Sequence, residues 1–226
     1  MPYFDAPITL RSTPSPTPPL ALADMRERLV LLEPHETLFF EGDENDAAFE
    51  IVSGLVCLST LTPDGRRQLL GLRFPGDIVG LGRGAEHECG AVACGTTQAR
   101  RIPRATLDRQ LAADPQLALR LVAAACEDVR RSREQLLTIG RKCALERVAT
   151  FLDEMRRRVS PDGRAIEIAL SRTDIGDLLG LSIETVSRSF TKLRGMGVID
   201  LPRHDLAIVR RPAALTALAL GDADAF

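Results

Sequence analysis

No run of 18 apolar residues occurs in this 226-residue chain, and its first residues lack the basic stretch and apolar block that mark a secretory leader. Neither a membrane span nor a signal peptide is expected, and the chain reads as cytoplasmic. Histidine is scarce and scattered, at His35, His87 and His204. A barrel-shaped metal enzyme of the cupin kind needs clustered His and Glu ligands, so that class is set aside, with no metal, cofactor or catalytic residue expected. The five cysteines, Cys57, Cys89, Cys94, Cys126 and Cys143, contain no C-x-x-C spacing. They suit a reducing compartment and argue against a zinc or iron–sulfur motif. Cys89 and Cys94 read either as a redox pair or as small core fillers on alternating strand positions.

A strong excess of positive charge is also missing: the formal net charge is −2. Its distribution is uneven, because residues 141–211 hold 14 Arg and Lys against 10 Asp and Glu, while residues 1–140 hold 15 against 19. The mildly positive C-terminal half is compatible with phosphate contact without demonstrating it.

What is present divides the chain. Six of the 14 prolines fall in residues 1–20, among Ser and Thr, a composition for a mobile tail that packs no core. Leu22 to Leu32 follows a short helical pattern. Short apolar segments then alternate with the turn signals Glu41-Gly-Asp43, Thr62-Pro-Asp-Gly65 and Phe74-Pro-Gly-Asp77, which predicts an antiparallel β-roll or barrel over 21–114, closed by a short helix from Thr106 to Asp114. From Pro115 to Ile139 there is no glycine or further proline. Ala118, Val122, Ala125, Val129, Ser132, Leu136 and Ile139 recur in alternating steps of 4 and 3, the seam of a helix over 115–139 packing on a partner copy or on its own β-roll. Gly140 marks a hinge into a third region, 140–226, whose first helix runs from about Lys142 to Arg158. Cys143, with Arg141, Lys142 and Arg147 near it, is the redox candidate, the alternative being an inert thiol.

The segment Leu170 to Leu193 carries the sharpest signal. Ser171 or Thr173 caps a short helix with Ile175, Leu178 and Leu179 on its apolar face, and Gly180 gives the backbone freedom for a tight turn. Ser182 caps a second helix in which Ile183, Val186, Phe190 and Leu193 form one buried stripe. Glu184, Thr185, Ser187 and Arg188 then face outward, the side-chain types that suit base edges in double-stranded DNA. Ser171, Arg172, Thr173, Ser182, Thr185 and Lys192 are expected to support the contact, with Arg172 or Lys192 touching backbone phosphate. Val198 to Leu201 and Leu206 to Val209, around Pro202-Arg-His-Asp205, read as a hairpin wing. Arg203 and His204 at its tip either approach phosphates or are merely solvated.

Over roughly residues 22–215 these motifs resemble the CRP/FNR family of bacterial transcription regulators. Phe39-Phe-Glu-Gly-Asp43, Phe49-Glu-Ile-Val-Ser-Gly-Leu-Val56 and Phe74-Pro-Gly-Asp-Ile-Val-Gly80 match its β-roll in order, and Glu184-Thr-Val-Ser-Arg188 matches the E-x-x-S-R pattern of its FNR and FixK branches. In the CRP branch an Arg precedes that Glu and a Gly takes the Ser position, where this chain has Ile183 and Ser187. The resemblance implies an α+β fold: a jelly roll like cyclic-nucleotide-binding domains, a long dimerisation helix, and a winged helix-turn-helix. It implies a homodimer on an FNR-box-like palindrome, RNA polymerase as partner, and control of low-oxygen or nitrogen-oxide metabolism. A ligand- or haem-responsive sensor of the same family is the alternative. Against cyclic nucleotides, Asp77 stands at the family's Glu and Arg83-Gly-Ala-Glu-His-Glu-Cys-Gly90 holds no Arg-Ser or Arg-Thr pair. Against an iron–sulfur cluster, no cysteine precedes Cys57 and Arg100 stands where the β-roll cysteine would be. His87 with Cys89 is the weak candidate for haem iron.

Overall fold

A computed structural model describes residues 28–160 and 162–222. The expected Pro-rich tail over 1–20 lies outside the described residues. Among the described residues the chain divides into two compact units, one of residues 28–60 and 72–120, the other of 61–71 and 121–222.

The described residues open with strands: β1 (Arg28–Leu32), β2 (Thr37–Phe39), β3 (Ala47–Ser53), β4 (Val56–Leu61), β5 (Arg67–Arg73), β6 (Ile78–Val79), β7 (Gly90–Ala93) and β8 (Thr97–Pro103). They form two four-stranded sheets, ordered β1-β8-β3-β6 and β2-β7-β4-β5. The helical reading of Leu22 to Leu32 is corrected for its last five residues: Arg28–Leu32 is a strand paired antiparallel with β8, Arg28 opposite Arg101. A half-buried pleated edge suits Leu-Val-Leu-Leu as well as a helix does, and the ladder decides between them.

Phe39, Ala47, Phe49, Ile51, Val56, Val79, Ala91 and Ala99 form the core between the sheets, where Phe39 stacks on Phe49 at 5.7 Å between ring centroids. Glu50 is buried but opposes Arg100 across the β3–β8 ladder and pairs with its guanidinium, which offsets the cost of burying the carboxylate. Cys94 is bonded to Cys57, 37 residues away, with Cα atoms 6.3 Å apart, so the suggested Cys89–Cys94 pair is not the one formed and Cys89 is a free thiol. The distance in sequence hid the pairing.

Three helices follow: α1 (Arg104–Ala113), α2 (Pro115–Arg141) and α3 (Ala144–Val159). Gly140, expected as a hinge, lies inside α2, and the break falls at Lys142 and Cys143. The remaining elements are β9 (Ala165–Glu167), α4 (Arg172–Leu179), α5 (Ile183–Gly195), β10 (Ile199–Arg203), β11 (Leu206–Val209) and α6 (Pro212–Leu220). Strand order β10-β11-β9 gives the expected wing a third strand. In this second unit Phe151, Leu152, Met155, Ile175, Val186, Phe190, Leu193 and Leu215 are buried, so α3, α4, α5 and α6 share one core. The sequence reading missed α6; its uniformly apolar Ala-Ala-Leu-Thr-Ala-Leu-Ala-Leu has no amphipathic period, though Pro212 at its first turn is a start signal.

Candidate nucleic-acid interface

Ser171, not Thr173, caps α4: its Oγ accepts from the Asp174 amide at 3.0 Å, and Asp174 Oδ2 accepts from the Ser171 amide at 3.1 Å, a reciprocal capping box. Thr173 is exposed. Gly180 ends α4 at φ 63° and ψ 44°, the left-handed conformation the turn requires. A second glycine, Gly176, carries no local sequence signal. A Cβ on Gly176 would stand 2.6 Å from the Leu181 carbonyl oxygen, whose residue donates its amide to Gly176 O at 3.0 Å, so the inter-helix turn folds back against bare backbone. Any side chain there forces α4 and α5 apart.

Ser182 begins α5, its Oγ accepting from the Thr185 amide at 3.2 Å. Val186, Phe190 and Leu193 are buried as expected, with Ser189 beside them, but Ile183 is 45% exposed and is removed from the buried stripe. It occupies the first turn, which projects beyond the core the later turns cover.

Glu184, Ser187 and Arg188 are exposed along one face, and Thr191 and Lys192 extend it by a turn; Thr191, seven residues after Glu184, was legible from the same helical spacing but was not read. Thr185 is half-buried, its hydroxyl 3.0 Å from Ser182 Oγ and accepting from Arg188 Nη2 at 3.4 Å. Ser187 Oγ donates to the Ile183 carbonyl at 2.9 Å. The amide at the start of α5, the Ser182 hydroxyl and the nearby Arg188 hold the Glu184 carboxyl below its ordinary range, so it is a full acceptor at neutral pH.

Arg172 packs inward. Its guanidinium lies 3.5 Å from the centroid of the Phe190 ring and its Nη2 donates to the His204 carbonyl at 3.1 Å, and burial lowers its pKa. It ties α4 to α5 and to the wing tip. At that tip Arg203 pairs with Asp205 at 3.0 Å, while His204 is exposed.

On α2, Val122, Ala125, Val129, Ser132 and Leu136 are exposed, whereas Ala118 and Ile139 are half-buried. Leu119, Cys126 and Leu137 are exposed on the same helix and were not in the expected set. Cys143 is exposed at the N-cap of α3, where its amide donates to Glu146 Oε2 at 2.8 Å. Two of the cations expected to act on its thiol are engaged elsewhere: Lys142 Nζ donates to Thr150 Oγ1 at 2.9 Å, and Arg147 donates to the Ile139 carbonyl at 2.6 Å.

In the first unit the loop after β6 turns its carbonyls inward. Arg104 donates to Gly80 O at 2.7 Å and Gly82 O at 3.0 Å, Asn45 Nδ2 donates to Gly82 O at 2.6 Å, and Arg104 also bonds Asn45 Oδ1. A phosphate needs donors there and meets acceptors. Asp77 closes its own turn by accepting from the Phe74 amide at 3.0 Å, and Arg83 pairs with Asp108 at 3.1 Å. His87 stacks on Phe39 with 3.7 Å between centroids, and burial followed by the Arg104 charge lowers its pKa. Among the described residues no three His, Cys, Asp or Glu side chains converge to hold a metal ion, and no helix is long and apolar enough to cross a membrane.

Two domain families match the chain: a cyclic nucleotide-binding domain over residues 29–114 and a Crp-like helix-turn-helix domain over residues 146–218. The chain is similar to the nitrogen fixation regulation protein FixK of Bradyrhizobium diazoefficiens, with 35% identity over 88% of this chain and 87% of that one. It is also similar to the transcriptional activator protein FnrA of Stutzerimonas stutzeri, at 34% over 91% and 86%. The structure of FixK2 from Bradyrhizobium japonicum superposes with a TM-score of 0.79 at 33% identity, covering 86% of this chain and 98% of that one.

Proposed function

This chain belongs to the CRP/FNR family of transcription regulators, and from that premise we propose that it acts in the cytoplasm as a homodimer reading a TTGA-type palindrome of the form TTGAT-N4-ATCAA. It is a FixK-like DNA-binding regulator and not an enzyme. On the bound site it recruits or blocks RNA polymerase at promoters for low-oxygen or nitrogen-oxide metabolism. Residues 28–114 serve as a sensor-like β-roll, 115–141 as the dimerisation helix and 144–222 as the DNA-binding domain.

The observation that carries this reading is the exposed face of α5. Arg188 forks onto guanine O6 and N7, Glu184 accepts from the cytosine amino group of the opposite strand, and Ser187 lies against the thymine edge. Lys192 supplies a phosphate contact, Ser171 and Ser182 cap the two helices, Thr185 steadies Arg188, and Arg172 ties α4 to α5. Dimerisation is supported by the exposed Val122, Ala125, Val129, Ser132 and Leu136 on one side of α2, flanked by Ala118 and Ile139. The carbonyl-lined loop around Arg104 supports DNA binding without a cyclic nucleotide.

The test is a binding-site selection on wild-type, Arg188→Ala and Glu184→Ala dimers with no ligand added. Wild type is expected to enrich the palindrome. Loss of Arg188 should cost on the order of 1–3 kcal/mol per half-site and relax preference at the guanine. Unchanged discrimination at the G·C pair in both variants removes these residues as base readers.

A further inference from the structure

An α-helix leaves its last four carbonyls without partners inside the helix. At the end of α4 each of these has a donor. Gly176 O accepts from the Gly180 and Leu181 amides, Asp177 O from Gln68 Nε2 at 2.6 Å, Leu178 O from Gln135 Nε2 at 2.6 Å, and Leu179 O from Arg147 Nη1 at 3.0 Å. Three of these four carbonyls are met by side chains, from β5, α2 and α3 respectively. Arg67, next to Gln68, holds the helix from its flank through ion pairs to Asp174 and, at 3.3 Å, to Asp177. Asp174 is also the residue that closes the N-terminal capping box. Arg147 reaches further, donating to the carbonyls of Ile139 at the end of α2 and Lys142 in the break, so one guanidinium spans the α2–α3 junction and α4.

All these residues belong to the second unit. We propose that Arg67, Gln68, Gln135 and Arg147 form a polar collar that sets the rotation of α4, and through the Gly180 turn that of α5, relative to α2, making them positioning residues for half-site spacing. The idea rests on the dimeric, palindrome-reading function proposed above. Apolar packing holds a helix in place while tolerating small rotations, whereas hydrogen bonds weaken steeply off axis, so donors from three directions fix an angle that Val186 and Phe190 leave loose. The donors also sit at the negative end of the α4 dipole, where a guanidinium is favoured. Gln135 precedes Leu136 of the proposed seam, so the collar links the dimer axis to the reading helix. Two α5 helices must meet half-sites about 34 Å apart, and a small angular error at each is felt as a mismatch in spacing.

The experiment measures the affinity of the full-length wild type and of a Gln68→Ala/Gln135→Ala variant for TTGA palindromes whose central spacer is lengthened or shortened by one or two base pairs, together with melting temperature and G·C discrimination. Wild type should bind the four-base spacer best. The variant should lose roughly two- to tenfold on that spacer for each missing bond while holding its affinity on the altered spacers, flattening the spacing profile with base discrimination unchanged. A purely stabilising collar predicts a lower melting temperature with the spacing profile intact, and that result overturns the proposal. So does a loss of G·C discrimination in parallel with spacing. If the double variant fails to fold, Gln68→Ala alone is subject to the same criteria. A wild type with no spacing preference overturns the palindrome reading itself, and it shows in that arm before any variant is considered.

Discussion

Replacing Arg172 with alanine separates a structural arginine from a phosphate-binding one. The guanidinium lies 3.5 Å from the Phe190 ring centroid, a contact worth about 0.5–2 kcal/mol, and its charged bond to the His204 carbonyl adds about 1.5–3 kcal/mol. The two share one group and are partly solvated, so their joint loss is expected near 2–3 kcal/mol, not the sum of the upper limits. For a chain of this length that is a fall in melting temperature of roughly 4–12 °C. DNA affinity should weaken by the same factor on every sequence, with the salt dependence unchanged. Lysine should not restore the loss, because an ammonium lacks the planar face that stacks on a ring. The assays are a thermal melt and a titration of DNA binding against salt. An unchanged melting temperature together with a salt slope smaller by about 2 per dimer, near 0.9 for each phosphate, means that Arg172 reaches the DNA backbone and refutes the argument.

Val129→Glu with Leu136→Glu should place repelling charges in the exposed stripe of α2 and give monomers with weakened DNA binding in analytical ultracentrifugation and gel shift; an unchanged dimer removes this helix as the interface. Burial raises the Asp174 pKa, but the bonds from Ser171 and Arg67 outweigh it and hold the carboxyl below its ordinary value. A depressed carboxylate contributes stability that is complete above about pH 4 and is lost as pH falls through the folded-state pKa, so Asp174→Asn should lower neutral stability and flatten the acid limb of the unfolding curve; parallel curves sink this prediction. Peroxide acting through the exposed Cys143 should weaken DNA binding by wild type, spare Cys143→Ser and be reversed by dithiothreitol; equal loss in both proteins rejects that thiol as the target.

The helix-turn-helix was legible because its signals are local. Ser182 and Gly180 act on neighbouring backbone, and Val186, Phe190 and Leu193 repeat within three turns. Ile183 defeated the same rule, since periodicity gives a direction but not how far the core extends along the helix. Gly176 was silent because its need is tertiary, the approach of the Leu181 carbonyl. The sequence suggests a supporting, phosphate-facing part for Arg172 and is silent on Phe190 and His204 as its partners, 18 and 32 positions away. Cys57 with Cys94, and Gln68 and Gln135 on the carbonyls of α4, join residues 37, 109 and 43 positions apart, beyond any spacing rule.

The uncovered side of α2 has a corollary in the concentration of the protein. Val122, Val129 and Leu136 are each about half or more exposed, so the dimer they would seal is governed by mass action. While monomers predominate, the number of dimers grows as the square of the number of chains, and promoter occupancy inherits that exponent. Halving the supply of protein then cuts occupancy about fourfold, so the rate of synthesis becomes a steep input, and a weakened seam moves the threshold without altering a single base contact.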